Sequence, residues 1–128
     1  MFSHVAVGSN DIDRSKKFYD ALFGAMGGKP GVLDAKGRLI YAHDGGVLLV
    51  TKPIDGKAAT HANGGTIGFK MASPEQADAW HKAGVANGGT SIEDPPGIRQ
   101  GGAGAMYLAN LRDPDGNKLC AMRRMPAA

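Results

Sequence analysis

The sequence predicts an α+β fold in which one strand–helix–three-strand unit occurs twice. When the chain is shifted by 62 positions, residues 4–22 align with residues 66–84 in their pattern of apolar and polar side chains. In each copy a recognisable helix start follows the opening strand, and two strands joined by a glycine-containing turn close the copy. We therefore expect a single domain with module one at about residues 2–52, a linker at about 53–64 and module two at about 65–123.

The opening strand of each module is indicated by apolar side chains at every second position. This spacing runs from Val5 to Val7 in module one and from Ile67 to Met71 in module two. Such alternation gives a strand one buried face and one face that points away from the core. His4 and Thr66 are then predicted to lie on the face away from the core.

A helix is predicted directly after each opening strand. The first covers Ile12–Phe23, with Asp11 as its N-cap. The second begins at Ser73-Pro74-Glu75, which supplies a cap, a proline in the first turn and an early acidic residue. Apolar side chains recur on one face of both helices, and Tyr19 and Trp80 on these faces are interpreted as core residues.

Each module ends in a predicted hairpin, with Asp44-Gly45-Gly46 as the turn in module one and Asp113–Asn117 as the turn in module two. A shorter strand is expected before each hairpin, and the Pro- and Gly-rich segment Asp94–Ala103 is expected to be a loop. The strands predicted in this way are Gly31–Ala35, Arg38–His43, Val47–Thr51, Gly89–Ile92, Met106–Leu111 and Lys118–Met122.

The composition is typical of a globular protein, for which acidic small molecules are plausible partners. The formal net charge is +3, but lysines and arginines are scattered, and Arg123-Arg124 is interpreted as a solvated chain end, so no nucleic-acid partner is expected. One cysteine, Cys120, excludes an internal disulfide and suits a reducing compartment. No signal-peptide pattern and no apolar stretch of roughly 18 residues is visible, which predicts a cytoplasmic protein without a membrane partner.

Three short motifs point to a known family: Phe2-Ser3-His4-Val5, Phe18-Tyr19 and, most specifically, Asp113-Pro114-Asp115-Gly116-Asn117 before the last strand. With the duplicated order of elements, they resemble the vicinal-oxygen-chelate superfamily of glyoxalases, bleomycin-resistance proteins and ring-cleaving dioxygenases. The resemblance covers nearly the whole of residues 1–128 and is closest to small glyoxalase-like members. It implies one open, cupped, eight-stranded sheet with the helices outside and the ligand in the cup.

Family members that bind metal carry ligands at four related positions, which correspond here to His4, Leu49, Thr66 and Cys120. Leucine cannot coordinate a metal, threonine is a poor ligand, and Cys120 stands where glutamate is common. We expect all four side chains to point into one shared cavity, with His4 as the one strong candidate ligand. No cofactor is therefore expected, and a divalent metal is disfavoured.

Catalytic roles are predicted for His4 and Cys120. His4 is a candidate base, ligand or cup-lining residue, and Cys120 is either a nucleophile or an inert small side chain. Arg99 is a candidate for gripping a carboxylate or phosphate, with a solvated loop arginine as the alternative. Asn110 lies across the hairpin from Cys120 if Arg112 pairs with Lys118. The residues predicted to bind substrate are Arg99, Lys70, Leu49, Thr66, Asn110 and Met122, with Lys118 and Val47 as further candidates for the cup wall.

Two function hypotheses remain open after this reading of the sequence. In one, the protein is a lyase, isomerase or dioxygenase-type enzyme acting on a small oxygenated metabolite in the cup. In the other, it is a metal-free protein that sequesters a ligand, like the bleomycin-resistance branch. A homodimer is expected in both cases, because the superfamily commonly pairs its cups and a sheet of this size leaves edges to cover.

Overall fold

The structure is a computed structural model that describes residues 1–126. Two helices and nine strands follow one another in the described part of the chain. They are β1 (Val5–Gly8), α1 (Ile12–Ala25), β2 (Val32–Leu33), β3 (Leu39–His43), β4 (Gly46–Thr51), β5 (Ile67–Lys70), α2 (Pro74–Ala86), β6 (Thr90–Ser91), β7 (Gly97–Gly101), β8 (Gly104–Arg112) and β9 (Lys118–Arg124). Neither helix is long and apolar enough to cross a membrane.

The strands form two sheets of the same topology, one for each module. Module one has the strand order β1-β4-β3-β2, and module two has the order β5-β9-β8-β6, with β7 also paired to β8. β1 runs parallel to β4 as β5 runs parallel to β9, and the remaining pairs are antiparallel. The predicted α+β fold with a duplicated strand–helix–three-strand unit is therefore confirmed.

The structure differs from the expected eight strands of one sheet, because residues 1–126 form nine strands in two sheets. The additional strand, β7, lies in Asp94–Ala103, which was predicted to be a loop. It pairs antiparallel with β8 from Gly97↔Leu108 to Gly101↔Gly104. This segment lacks the alternation of apolar and polar side chains by which a strand is predicted. It forms a strand because it pairs with the part of the β8 edge that β6 does not cover.

One hydrophobic core joins the two modules, since α1 and α2 pack together on the same side of both sheets. Tyr19 and Trp80 are fully buried in it, so the prediction that they are core residues is confirmed. The ring of Phe69 on β5 lies 6.0 Å from that of Phe23 on α1 and 5.9 Å from that of Trp80 on α2. The contact between Phe23 and Phe69 therefore connects the helix of module one to module two.

A polar joint also connects the modules, where the β8–β9 turn packs against the start of α1. The carboxylate of Asp113 accepts hydrogen bonds from the hydroxyl of Tyr19 at 2.5 Å and from the amide Nδ2 of Asn117 at 2.8 Å. Asp115 accepts from the backbone N–H of Asn10 at 2.9 Å and from Arg14 at 2.8 Å. The turn motif on which the family resemblance mainly rests is thus a contact between modules.

Candidate functional site

The candidate site lies on the open face of the sheets, which we define as the face opposite the helices. Strand pairing shows which side chains share this face. Ala6 pairs with Leu49 in module one, and Gly68 pairs with Cys120 in module two at the corresponding positions. The neighbouring residues Leu48 and Leu119 are buried in the core, so Leu49 and Cys120 point the other way.

Module one carries a cavity of about 1000 Å³ on this face, which we call the module-one cavity. Its wall combines apolar side chains with a histidine, three cationic groups and two carboxylates. The apolar residues are Ala6, Ile12, Leu33, Leu49 and Ile54; the charged and ionisable ones are His4, Asp11, Asp13, Lys36, Arg38 and Lys52. Apolar side chains, cations and carboxylates are therefore mixed in the wall of this cavity.

His4 is exposed at the entrance to β1 and lines this cavity. Its ring Nδ1 lies 2.8 Å from the hydroxyl Oγ of Ser3. That contact engages one ring nitrogen and leaves Nε2 to meet a ligand. No carboxylate hydrogen-bonds to the His4 ring among residues 1–126, so the orienting acid of a catalytic triad is not part of this arrangement.

The structure brings His4 and Leu49 together but does not place the other two predicted residues in their cavity. Thr66 lies in a separate recess between the edges of β1 and β5, and Cys120 is buried at 8% exposure. The expectation of one shared cavity is therefore wrong for Thr66 and Cys120. The reason is that β1 and β5 do not pair, so each module keeps its own sheet face.

The residues at the four family positions do not fit a metal centre. They supply one imidazole and one thiol, whereas a catalytic zinc site needs three protein ligands. Within the described residues, no group of three or more His, Cys, Asp or Glu side chains is arranged to hold a metal ion. We therefore assign no step to a metal here.

The thiol of Cys120 is poorly suited to act as a nucleophile. Burial raises its pKa above the ordinary value, and the nearby carboxylate of Glu93 acts in the same direction. Lys118 and Arg99 lower it, with a smaller effect than burial. The thiol is also within 3.5 Å of the backbone carbonyl of Ala121. The protonated form therefore dominates near neutral pH.

Module two carries a second group of polar residues on the open face, which we call the module-two cluster: Glu93, Arg99, Asn110, Lys118 and Cys120. Asn110 pairs with Cys120 and Arg112 pairs with Lys118, so the predicted hairpin register is confirmed. Lys118 forms an ion pair with Glu93. Arg99 donates hydrogen bonds to the backbone carbonyls of Asp94 at 3.0 Å and Pro95 at 2.8 Å.

The remaining predicted residues lie nearby on the same strands. Lys70 is exposed at the end of β5, and Met122, its neighbour on β9, is half-buried. Glu93 and the cationic residues of the module-one cavity were not predicted from the sequence. Lys36 and Arg38 come from the β2–β3 turn, and Lys52 follows β4. Whether these cationic residues approach His4 depends on how the β2–β3 turn folds over the sheet. No local sequence pattern predicts that arrangement.

These features agree with what comparisons with known proteins show. The model of the glyoxalase/bleomycin resistance protein/dioxygenase superfamily matches residues 1–121, so the chain belongs to this superfamily. The predicted family membership is confirmed, and the fold supports a ligand-binding or enzymatic role. No match was found among curated proteins.

Solved structures give the same assignment. A glyoxalase/bleomycin resistance protein from Albidiferax ferrireducens T118 is 58% identical, with 97% of this chain and 99% of that chain covered and a TM-score of 0.93. A family enzyme from Burkholderia phytofirmans PsJN is 16% identical, with coverage of 96% and 98% and a TM-score of 0.73. Lactoylglutathione lyase from Agrobacterium tumefaciens is 19% identical, with coverage of 95% and 92% and a TM-score of 0.66. The last two show a shared fold alone.

Proposed function

We propose that this protein binds a small oxygenated metabolite in the module-one cavity without a metal centre of the family type. The observation that supports this most strongly is the cavity itself, whose wall combines apolar side chains with one accessible imidazole, three cationic side chains and the carboxylates of Asp11 and Asp13. Leu49 stands where a metal-binding relative would carry a ligand, so the same position contributes an apolar contact here. Ligand affinity would then come from apolar burial together with hydrogen bonds to His4 and the cations.

The cavity test uses a panel of small hydroxy acids, oxo acids and aldehydes, measured by thermal shift and calorimetry. Leu49→Trp fills the cavity and should abolish binding of whatever ligand the wild type binds. Val85→Trp, on the exposed side of α2, is the matched control and should bind normally. Equal binding by the wild type and Leu49→Trp would refute this location.

The metal test starts from protein dialysed against a chelator, to which Zn²⁺, Fe²⁺, Mn²⁺ and Ni²⁺ are added separately. We expect no stoichiometric uptake and no rise in melting temperature, because each missing donor removes a bond to the metal. Stoichiometric uptake that stabilises the protein and is lost in His4→Ala would overturn the proposal.

A second candidate function is metal-free acid–base catalysis on the bound metabolite, as in a lyase or isomerase. Its support is the position of His4, whose Nε2 can face a ligand while Nδ1 contacts Ser3. Turnover of a ligand found in the panel, reduced at least 100-fold in His4→Gln with little change in affinity, would favour this candidate. Binding without turnover would favour sequestration. Cys120 is disfavoured as a partner by its protonated, buried thiol.

We also propose a homodimer, located in the cytoplasm. Edge strands expose apolar side chains at both ends of the molecule: Val32 on β2 is 66% exposed and Ile98 on β7 is 56% exposed. Exposed apolar edges favour pairing with another chain. Light scattering at about 20 µM, an ordinary assay concentration, should give the mass of a dimer, and a strict monomer would contradict this.

A further inference from the structure

Two adjoining recesses lie at one end of the seam between the modules, where the β3–β4 turn approaches the start of α2. Met26, which follows α1, lines both recesses, and Gln76 of α2 lines one of them, so they extend to the helix side of the sheets. Among residues 1–126, none that lines the module-one cavity lines either recess. The recesses are therefore separate from that cavity.

The first recess, which we call the polar recess, has a volume of about 430 Å³. Its ionisable residues are His43, Asp44, Lys70 and Arg123. Four ion pairs form within residues 1–126, and neither Lys70 nor Arg123 belongs to any of them. The two cations exceed the single carboxylate by one positive charge. The polar recess therefore suits a monoanion better than a phosphate group, which carries about two negative charges near neutral pH.

The imidazole of His43 is held in place beside these charges. Its ring packs edge-to-face on Phe23, with ring centroids 6.1 Å apart. A Cβ atom added at Gly28 would lie 3.1 Å from Nδ1 of His43, so the ring lies directly against the Gly28 backbone. Within residues 1–126, the histidine rings with a side-chain hydrogen bond are those of His4 and His81. An N–H of His43 is therefore available to a ligand that accepts a hydrogen bond.

The second recess, which we call the apolar recess, has a volume of about 260 Å³. This exceeds the roughly 150 Å³ at which an apolar cavity already holds a benzene ring. The rings of Phe23 and Phe69 form part of its wall, with their centroids 6.0 Å apart. An aromatic ring would pack favourably against them. Further apolar side chains that line this recess are Val5, Met26, Val47, Leu48 and Ile67.

The two recesses are continuous, since four residues line both of them: Met26, His43, Asp44 and Lys70. We propose that together they form a binding site for a small aromatic carboxylate, whose ring occupies the apolar recess. Its carboxylate would lie in the polar recess, where it faces Lys70 and Arg123 and accepts a hydrogen bond from His43. Asp44 repels a second negative charge, which selects monoanions. The site does not depend on ligand binding in the module-one cavity.

The structure also separates two arginines that are neighbours in the sequence. Arg123 and Arg124 are consecutive residues of β9, so their side chains point to opposite faces of the sheet. Arg123 is half-buried and lines the polar recess, whereas Arg124 is exposed and does not line it. Substituting either one removes the same charge. The two arginines therefore provide a matched pair of variants that differ only in position.

The experiment titrates the full chain at constant ionic strength with phenylacetate, with its neutral counterpart phenylacetamide, and with acetate, which lacks the ring. The ring resonances of His43, assigned with His43→Gln, are followed by NMR. Phenylacetate should shift them with an affinity in the millimolar range or tighter, as expected of a ligand with about ten non-hydrogen atoms. Phenylacetamide and acetate should each bind at least about tenfold more weakly, because each lacks one half of the recognised structure.

Variants test the two recesses separately. Arg123→Met should lower the affinity for phenylacetate about tenfold, whereas Arg124→Met should leave it unchanged. Lys70→Met should lower the affinity about two- to fivefold, because this lysine is exposed. Met26→Trp fills the apolar recess and should abolish binding, with Val85→Trp on the exposed side of α2 as its control. Wild-type affinity in Lys70→Met or in Met26→Trp would contradict the proposal.

The proposal is also overturned if phenylacetate leaves the His43 resonances unchanged, if phenylacetamide binds as tightly, or if Arg123→Met binds phenylacetate as well as Arg124→Met. A shift of the His4 resonances instead of those of His43 would place phenylacetate in the module-one cavity and would likewise overturn it. Leu49→Trp should bind phenylacetate like the wild type. Failure here is therefore distinguishable from failure of the module-one proposal.

Discussion

The two modules end in hairpins at corresponding positions, but the turns of the two hairpins have different structural roles. The β3–β4 turn, Asp44-Gly45, is exposed, and both residues have positive φ values of 49° and 81°. The β8–β9 turn, Asp113–Asn117, is buried at both of its ends, where Asp113 accepts a hydrogen bond from Tyr19 of α1 and Asn117 donates one to the backbone carbonyl of Gly8 at the end of β1. The first turn only reverses the chain, whereas the second holds module two against module one.

This difference shows that one copy of a repeated unit can form a contact between modules that the other copy does not form. In module one the turn needs an Asp-Gly pair for its backbone, and its side chains face water. In module two the carboxylates of Asp113 and Asp115 meet donors that lie about 100 residues earlier in the chain. A buried carboxylate is tolerated only when such donors satisfy it, so turn and helix depend on each other.

The largest effect should follow from Asp113→Ala. The variant removes an acceptor for Tyr19 and Asn117 at once and leaves buried donors without partners. We expect the free energy of unfolding to fall by about 3 kcal/mol or more, as for other buried hydrogen-bond networks. Urea unfolding measures this. A loss below about 1 kcal/mol would show that the turn is not a joint between modules.

Tyr19→Phe should have the next largest effect, since it removes one donor to Asp113 and keeps the ring in the core. We expect a loss of about 2 kcal/mol, within the range for hydrogen bonds to charged groups. Tyr41→Phe is the control within module one, because the Tyr41 hydroxyl donates to Asp20 at 2.7 Å and Asp20 also binds Lys16 at 2.6 Å. Tyr41→Phe should lower the free energy of unfolding by a smaller amount than Tyr19→Phe, because Asp20 is partly exposed to solvent. Equal losses would remove the distinction between the two pairs.

The same two tyrosines should make the stability of the protein depend on pH in the alkaline range. Burial, followed by the charge of Asp113, raises the pKa of Tyr19 well above its usual value, and burial with Asp20 raises the pKa of Tyr41. Their stabilising contribution is therefore complete below about pH 10, where free tyrosine titrates, and is lost as the pH rises above it. Stability should decline by up to roughly 1.4 kcal/mol per pH unit for each tyrosine. The decline should be less steep in Tyr19→Phe, and an unchanged slope would contradict this.

Arg14→Met should have a smaller effect, although it also acts on the joint. Arg14 is 45% exposed, so water screens its pair with Asp115, but the Asp115 side chain is almost fully buried. We expect a loss of about 1 kcal/mol, because Asn10 and Ser15 still donate to the carboxylate. Unfolding at low and at 1 M salt should show that the wild type loses this increment when salt is added. A salt-independent difference would mean that packing of the arginine stem is responsible.

The fold could largely be predicted from the sequence because its repeat is visible in residues that pack the core. Val5, Val7, Ile67 and Phe69 alternate, and the helix caps Asp11 and Ser73 accept backbone hydrogen bonds as expected. Strand β7 could not be predicted, because its glycines carry no periodic signal and its pairing depends on β8.

The candidate site was predictable in part. Strand alternation predicts the face of His4, the family resemblance supplies Leu49 and Cys120, and the hairpin register places Asn110 opposite Cys120. The position of Glu93 was not predictable, since a left-handed backbone is usually signalled by glycine or asparagine, and nothing in the sequence indicates one here. The two open faces are also separate because the edges of β1 and β5 do not pair. Nothing in the amino-acid composition indicates that these edges stay unpaired.

The smallest effect should follow from Asp44→Asn, the counterpart of Asp113→Ala in the exposed turn. Asp44 has a positive φ, its side chain makes no hydrogen bond within residues 1–126, and asparagine tolerates this conformation at least as well as aspartate. We therefore expect the free energy of unfolding to change by less than about 0.5 kcal/mol. Asp44→Ala should cost about 1 kcal/mol, because alanine is disfavoured in the left-handed region. If Asp44→Asn were as destabilising as Asp113→Ala, the first turn would carry more than a chain reversal, and the contrast between the two modules would fail.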